Sequence, residues 1–242
     1  MVKRPILFLH FHKAGGTTMG KLFQGVRKKY PINRNGNPFS KKGIIPLWTF
    51  KRQRLNRFAA RLSKLGVGYV AVEWNFFIHH RTISWKPFHF LTTLRDPYER
   101  FISNMNFHHA KNALAYMRRH VHISRRGKKI PVSFNRPNFY VRMLNGLGTR
   151  PQASVNRSHL EHAKKVLSRF DTICILENKP SFKALYKLGV KKNFSNVKRN
   201  VWRKKKRYFI QRKAFEELNQ LDMELYSFAK ELVETRMKAS SS

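Results

Sequence analysis

Short apolar runs alternate with amphipathic segments along this chain of 242 residues. Apolar runs bounded by Gly, Pro or polar turns predict buried strands at residues 5–10, 69–72, 88–94 and 171–176. Apolar residues spaced three and four apart predict helices at 17–26, 51–65, 98–118, 140–146, 156–168, 180–188 and 211–237. Residues 31–46 and 120–137 are predicted loops. This alternation predicts an α/β fold in three layers, a single domain over residues 1–242 with a mainly parallel sheet between helices.

Residues 12–18, His-Lys-Ala-Gly-Gly-Thr-Thr, connect the first predicted strand to the first predicted helix. Two glycines let a backbone approach an anion, and the N–H groups at the start of a helix bind one. Lys13 adds a positive charge, and two threonine hydroxyls add hydrogen-bond donors. The lysine precedes the glycines, so this is not the nucleotide-triphosphatase pattern. The loop predicts a phosphate site; the alternative is a tight turn with an incidental lysine.

A second polar turn, residues 95–103, follows the predicted strand at 88–94. On the helix that Pro97 begins, Asp96, Arg100 and Ser103 share one face because they are spaced i, i+4 and i+7. An arginine fork and a hydroxyl can therefore converge on a phosphate, with the aspartate free to hold the arginines. The alternative is that Arg-Asp-Pro only starts the helix. Both turns follow strands, and parallel sheets bind ligands at the carboxyl ends of their strands.

The net charge of the chain narrows the classes of molecule that it is expected to bind. Lys and Arg number 51 against 12 Asp and Glu, which gives a formal net charge of +39. Such a chain fits a polyanionic partner: nucleic acid, an anionic membrane, or a sulfated or carboxylated polysaccharide. The densest basic runs, 125–129 and 203–207, fit a polysaccharide groove or a nucleic-acid patch, and a solvated basic surface is the remaining alternative.

Cys174 is the one cysteine, and it lies in an apolar run that predicts a buried strand. With no second cysteine, the chain has no intrachain disulfide, so a reducing compartment is permitted. The N-terminal apolar run is far shorter than a membrane span or a signal-peptide core requires. From these features alone, a soluble cytoplasmic protein is expected.

The first loop resembles that of the carbohydrate sulfotransferases that use 3′-phosphoadenosine 5′-phosphosulfate (PAPS), especially the heparan sulfate 6-O-sulfotransferases. Their loop reads His-x-x-Lys-Thr-Gly-Gly-Thr-Thr, and residues 10–18 match it except for Ala14. The resemblance implies a P-loop-like fold and PAPS as the sulfuryl donor, without a metal. It also implies that Lys13 neutralises the leaving phosphate oxygen, and that the 5′-phosphate is held by Gly15, Gly16, Thr17 and Thr18.

The second turn is similar to the 3′-phosphate site of the same family, which implies contacts from Arg95 and Ser103. Asn196 and Arg199 fall where the family has an Asn-x-x-Arg loop, which implies a place over the nucleotide. Two packing segments extend the resemblance through the second half of the chain, at 141–144 and 221–230. The family works in the Golgi lumen behind a membrane anchor, so the resemblance implies that compartment instead of the cytoplasm.

The catalytic base is where the resemblance is weakest. In the 6-O-sulfotransferases the base is a histidine two residues before an Asp-Trp pair, and the matching position here is Ala71, followed by Glu73 and Trp74. Alanine cannot accept a proton. Glu73 ends a predicted strand and is the first candidate for the base, with His79 and His80 on the following segment as alternatives.

Together these features predict a sulfotransferase that moves a sulfuryl group from PAPS to a hydroxyl of an acidic, heparan sulfate-like polysaccharide. One alternative is a sulfotransferase with a small-molecule, lipid or protein acceptor. Another is a non-catalytic relative that binds phosphate or nucleic acid, although nucleic acid is the less favoured partner. DNA binding that ignores adenosine 3′,5′-bisphosphate (PAP) would favour that last alternative.

Overall fold

The computed structural model describes residues 4–23, 26, 55–72, 86–118, 121–123, 129–131, 133–148, 150–191 and 210–240. The strands there are β1 Ile6–Leu9, β2 Tyr69–Val72, β3 His89–Leu94, β4 Val121–Ile123, β5 Lys129–Pro131 and β6 Thr172–Ile175. The α-helices are α1 Gly16–Leu22, α2 Leu55–Lys64, α3 Pro97–Phe107, α4 Ala113–Arg118, α5 Phe139–Leu144, α6 Arg157–Ser168, α7 Arg212–Leu218 and α8 Gln220–Lys238. A 3₁₀ helix spans Lys179–Leu188.

In the part of the chain that the structure describes, the central sheet has four strands in the order β2-β1-β3-β6, and every neighbouring pair is parallel. Leu9, the last residue of β1, is level with Val72 of β2 and with Thr92 of β3. All four predicted strands are therefore confirmed within a residue or two of their predicted ends. Their apolar residues are buried on both faces of the sheet, as expected for parallel strands covered by helices.

Helices cover both faces of this sheet. One face packs against α1 and the 3₁₀ helix, in a cluster that includes Phe8, Tyr69 and Cys174. The other face packs against α2, α3, α5, α6 and α8, in a larger cluster that includes Leu9, Phe90 and Ile175. Alternate residues of each strand join opposite clusters, because successive side chains of a strand point to opposite sides. The predicted α/β architecture, a parallel sheet flanked by helices, is confirmed.

Two helices predicted as continuous are broken. The segment 98–118 divides into α3 and α4, because His109 has a left-handed φ of 52° and Asn112 starts a new helix by accepting the N–H of Ala115 at 2.9 Å. The segment 211–237 divides at Asn219, whose φ of −123° is not helical. The Oδ1 of Asn219 accepts the N–H of Asn138 at 3.0 Å, so a tertiary bond holds the break.

The predicted loop at 120–137 is also wrong in part. Strands β4 and β5 pair antiparallel there and form a two-stranded ribbon separate from the central sheet. Short basic strands next to Gly and Pro give little apolar periodicity, so the pattern did not reveal them.

The strand order places a switch point between β1 and β3. The chain leaves β1 toward β2 on one side, and β3 then pairs with the other side of β1. In open parallel sheets, ligands bind outside the carboxyl ends of the strands where the order reverses in this way. The loop after β1 and the turn after β3 are the two segments that carry the predicted phosphate residues.

Candidate functional site

The loop after β1 begins with a tight turn that carries Lys13. The N–H of Ala14 donates to the carbonyl of Phe11 at 3.0 Å, which closes a four-residue turn. Lys13 has a φ of 65°, and it alone of the two central residues has a positive φ, as in a type II turn. Glycine or asparagine usually occupies this position, because a Cβ is crowded in the left-handed region. A lysine here is held in a strained backbone conformation.

Strand β3 anchors this turn. The hydroxyl of Thr93 donates to the carbonyl of Ala14 at 2.5 Å, and both groups are buried. Gly15 follows with a φ of 95° and directly precedes α1; a Cβ there would lie 3.1 Å from a methyl group of Leu176, after β6. Thr93 lies two residues before Arg95, about 7 Å along the strand. The two predicted phosphate segments are therefore neighbours.

Gly16 has no room for a side chain. A Cβ on Gly16 would lie 2.2 Å from Nε2 of His10, and two other ring atoms of that histidine would be at 2.4 Å. The ring of His10 is buried and stacks on Phe8 with 5.8 Å between the centroids. The imidazole therefore packs directly against the first residue of α1, and only glycine allows that approach.

The start of α1 presents backbone donors. The N–H of Met19 donates to the carbonyl of Gly15 at 3.0 Å, which is the first bond of the helix. The N–H groups of Gly16, Thr17 and Thr18 precede it and have no acceptor within the helix. No side chain caps this helix end among the residues that the structure describes. Three backbone donors and two threonine hydroxyls beside Lys13 suit a phosphate oxygen.

The ammonium of Lys13 lies over an aromatic ring of α3. Its Nζ is 4.1 Å from the ring centroid of Phe107, the last residue of that helix. Ser103 lies one helical turn earlier on the same side of α3, so its Cβ is about 6 Å from that of Phe107. Lys13 therefore contacts α3 on the side of the helix that also carries Ser103, 90 positions away in sequence.

Arg95 is held by its backbone and by two carboxylates. The hydroxyl of Tyr140 donates to the carbonyl of Arg95 at 2.9 Å and accepts its N–H at 3.1 Å. The guanidinium lies 3.3 Å from Glu99 and 3.8 Å from Glu177. Glu177 also accepts the N–H of Asp96 at 3.2 Å and the hydroxyl of Tyr226 at 2.9 Å. The turn after β3 is therefore fixed from three neighbouring elements.

A buried aspartate fixes the helix that supplies Tyr140. The carboxylate of Asp222 accepts the N–H groups of Tyr140 and Val141 at 3.0 and 2.9 Å, at the start of α5. Burial raises the pKa of Asp222 to about 6, and these two donors offset only part of that shift. The chain of contacts runs from Asp222 in α8 through Tyr140 to Arg95.

The prediction that Arg100 faces a phosphate at the second turn is wrong. Arg100 is 2% exposed, donates to the carbonyl of Phe134 at 2.9 Å and lies 4.1 Å over the ring of Phe139, so it belongs to the core. Burial lowers the pKa of its guanidinium. Asp96 holds neither Arg95 nor Arg100: it accepts the N–H of Glu99 at 3.0 Å and pairs with Arg212 at 2.7 Å. Spacing on a helix face did not distinguish the buried side of α3 from its open side.

Several predicted residues lie outside the described ranges: Glu73, His79, His80, Asn196 and Arg199. Glu73 directly follows Val72, the last residue of β2. Within the described ranges, no group of three or more His, Cys, Asp or Glu is arranged to hold a metal ion. The described helices include none that is long and apolar enough to cross a membrane.

No protein-family model matches this chain, and no curated protein matches it.

Three residues that sequence reasoning missed contribute to this geometry: Thr93, Tyr140 and Phe107. Thr93 and Tyr140 act through hydroxyl bonds to backbone groups that are distant in sequence, and no local pattern announces such bonds. Phe107 left a weak signal. It is a large apolar residue on the last turn of the predicted helix, on the side that also carries Ser103.

Proposed function

We propose that this protein is a sulfotransferase that moves a sulfuryl group from PAPS to a hydroxyl of an acidic polysaccharide. The observation that carries the proposal is the hydrogen bond between Thr93 and Ala14. It joins the loop bearing Lys13 to the strand that ends at Arg95, at the switch point of the sheet. A nucleotide with phosphates at both its 5′ and 3′ positions has the two anionic ends that this pair of segments requires.

The first loop is assigned to the 5′-phosphosulfate. PAPS supplies a sulfuryl group attached to a phosphate that departs with a negative charge. Lys13 and the N–H groups of Gly16, Thr17 and Thr18 would hold that phosphate and stabilise the charge that develops on it. Gly15 and Gly16 would let the backbone come close enough for short N–H contacts.

The second turn is assigned to the 3′-phosphate. Arg95 and Ser103 would contact it, and Glu99 and Glu177 would orient the guanidinium before the nucleotide binds. A phosphate carries more charge than either carboxylate and accepts two bonds from one arginine, so it can compete for this side chain. The clamp from Tyr140 fixes the backbone that carries Arg95.

The acceptor hydroxyl needs a base opposite the departing phosphate. Glu73 is assigned this role because it follows β2, whose carboxyl end lies beside that of β1. His79 and His80 are the alternatives. Ala71, at the matching position of the 6-O-sulfotransferases, is buried in the cluster that packs against α1.

The charge distribution supports an acidic polymer as the acceptor. Residues 1–72 and 100–160 contain no Asp or Glu, and nine of the 12 acidic residues lie at Glu161 or beyond. Helix α2 carries Arg57, Arg61 and Lys64 on its exposed side. A surface of one sign attracts a polyanion over long distances and would steer it to the site.

The fold is proposed to be P-loop-like. Support comes from the parallel sheet with helices on both faces, and from the phosphate-type loop between β1 and α1. The same loop, read with the sulfotransferase motif of residues 10–18, favours PAPS over a nucleoside triphosphate.

The test is transfer of label from radiolabelled PAPS to a panel of heparan sulfate, chondroitin sulfate, a phenol and a lipid alcohol. We expect label on an acidic polysaccharide, and its loss in Lys13→Ala and Arg95→Ala. Lys21→Ala and Arg157→Ala are matched controls: Lys21 lies at the far end of α1, and Arg157 pairs with Glu224 away from the site. Label on a small acceptor alone would show that the acceptor is not a polysaccharide. The absence of both label transfer and PAP binding would refute the proposal.

A further inference from the structure

The contact between Lys13 and Phe107 has no role in sulfuryl transfer itself. A lysine that binds the leaving phosphate needs its ammonium at the start of α1, yet the ammonium lies 4.1 Å over a ring at the end of α3. The ring is 39% exposed, which is unusual for a phenylalanine of a helix that packs on the core.

Neighbouring rings hold Phe107 in this position. His12 meets it edge to face at 5.7 Å between ring centroids, and His108 meets it at 5.0 Å with the rings at 89°. His108 in turn stacks on Phe134 at 5.0 Å. The ring is therefore supported on one side by other rings and receives the ammonium on its face, where the electrons of the ring attract a cation.

The backbone of Lys13 points to the same role. Its left-handed φ of 65° and the bond from Ala14 to Phe11 fix where the side chain leaves the turn. From this one origin, the flexible side chain of lysine reaches the ring of Phe107, and by rotation of its bonds it reaches the nearby start of α1. The ring is the observed position of the ammonium, and an anion bound at the start of α1 would offer it a second one.

We propose that Phe107 is a positioning residue that holds the Lys13 ammonium on α3 until the donor nucleotide binds. The proposal rests on the proposed function, since it takes the 5′-phosphate as the ligand of Lys13. A cation on an exposed ring is held weakly, and a charge-assisted bond to phosphate is stronger, so binding moves the lysine. Because the ammonium must leave the ring before it can contact the phosphate, Phe107 lowers the affinity of the protein for the nucleotide.

The test is calorimetric titration of PAP into the wild type, Phe107→Leu and Phe107→Trp. Phe107→Leu removes the ring but keeps an apolar side chain, so we expect PAP to bind about two- to fivefold more tightly (about 0.5–1 kcal/mol). Phe107→Trp offers the ring type that attracts cations best, so PAP binds more weakly than to the wild type. A merely structural residue would not give opposite shifts.

Two controls accompany the titration. Leu114→Ala shortens an apolar residue that is 56% exposed on α4, and it leaves PAP affinity unchanged. In the background of Lys13→Ala, Phe107→Leu has no effect on PAP affinity, because no ammonium is left to release. If the leucine variant fails to fold, the tryptophan variant alone decides between weaker and tighter binding.

Outcomes separate this inference from the proposed function. Equal or weaker PAP binding by Phe107→Leu, or tightening that persists without Lys13, overturns the role of Phe107. If Lys13→Ala lowers PAP affinity while the Phe107 variants match the wild type, only this inference fails. If PAP does not bind at all, the proposed function fails first.

Discussion

Replacement of Lys13 with glycine is expected to give a more stable fold than replacement with alanine, and to weaken nucleotide binding. The φ of Lys13 is 65°, a region that costs a residue with a Cβ about 1–2 kcal/mol and costs glycine nothing. Alanine at this position keeps the strain, so Lys13→Ala is the reference that removes the ammonium without relaxing the backbone. Glycine has greater freedom in the unfolded chain, which offsets roughly 0.5–1 kcal/mol of the relief.

The net expectation is that Lys13→Gly is more stable than Lys13→Ala by about 1 kcal/mol. For a chain of this size, that difference raises the midpoint of thermal unfolding by about 2–4 °C. Both variants lose the contact with Phe107, so their comparison isolates the backbone.

Both variants are also expected to lose affinity for PAP. A hydrogen bond from a charged donor contributes about 1.5–3 kcal/mol, which corresponds to a loss on the order of 10- to 100-fold. The assays are thermal unfolding by circular dichroism and calorimetric titration of PAP, with Lys21→Ala as the charge-matched control. A glycine variant less stable than the alanine variant would refute the strain, and unchanged PAP affinity would refute the phosphate role.

Three further perturbations have defined outcomes. Gly16→Ala forces a Cβ into the ring of His10 and is expected to cost about 1–3 kcal/mol of stability, together with PAP affinity. Thr93→Val removes the hydroxyl that anchors the phosphate loop, so we expect about 1 kcal/mol lower stability and weaker PAP binding. Burial raises the pKa of Asp222 from 3.8 to about 6, so the stability contributed by its carboxyl is present below pH 3.8 and lost as the pH rises through 6. Relative to the wild type, Asp222→Asn therefore gains at most about 3 kcal/mol between pH 4 and pH 7, measured by denaturant unfolding at each pH.

Each has a matched control or a contrary outcome. Gly20→Ala lies in the same helix, where a Cβ meets no atom of the described residues within 4 Å, and it should stabilise the helix by up to about 1 kcal/mol. Equal effects of alanine at Gly16 and Gly20 would contradict the close packing of His10. A valine at Thr93 that left PAP affinity intact would contradict the anchoring. A difference between Asp222→Asn and the wild type that stayed constant with pH would contradict the raised pKa.

Periodicity revealed the elements of the fold because burial dominates them. The four strands of the central sheet are apolar runs enclosed on both faces, and each was predicted within a residue or two. The breaks at His109 and Asn219 were not predicted, since the apolar spacing continues through both. The left-handed backbone of His109 causes the first break, and the hydrogen bond from Asn138 holds the second. Neither feature produces a repeating pattern in the sequence.

The sequence predicted the two loops of the candidate site but not the side-chain contacts around them. The glycines of the first loop and the placement of both turns after strands could be read from the sequence, because turn chemistry is local. The burial of Arg100 could not, since nothing in its spacing tells which face of α3 meets Phe134. The link from Thr93 to Ala14 depends on strand order, which short-range pattern does not encode.

Binding of single phosphates to the two loops tests the central claim most directly. Adenosine 5′-monophosphate and adenosine 3′-monophosphate each carry one of the two phosphates of PAP, so each should depend on one loop. We expect Lys13→Ala to weaken only the 5′-monophosphate, Arg95→Ala to weaken only the 3′-monophosphate, and each variant to weaken PAP. If both variants weakened both monophosphates equally, or if PAP bound no better than either one, a single nucleotide shared by Lys13 and Arg95 would be contradicted.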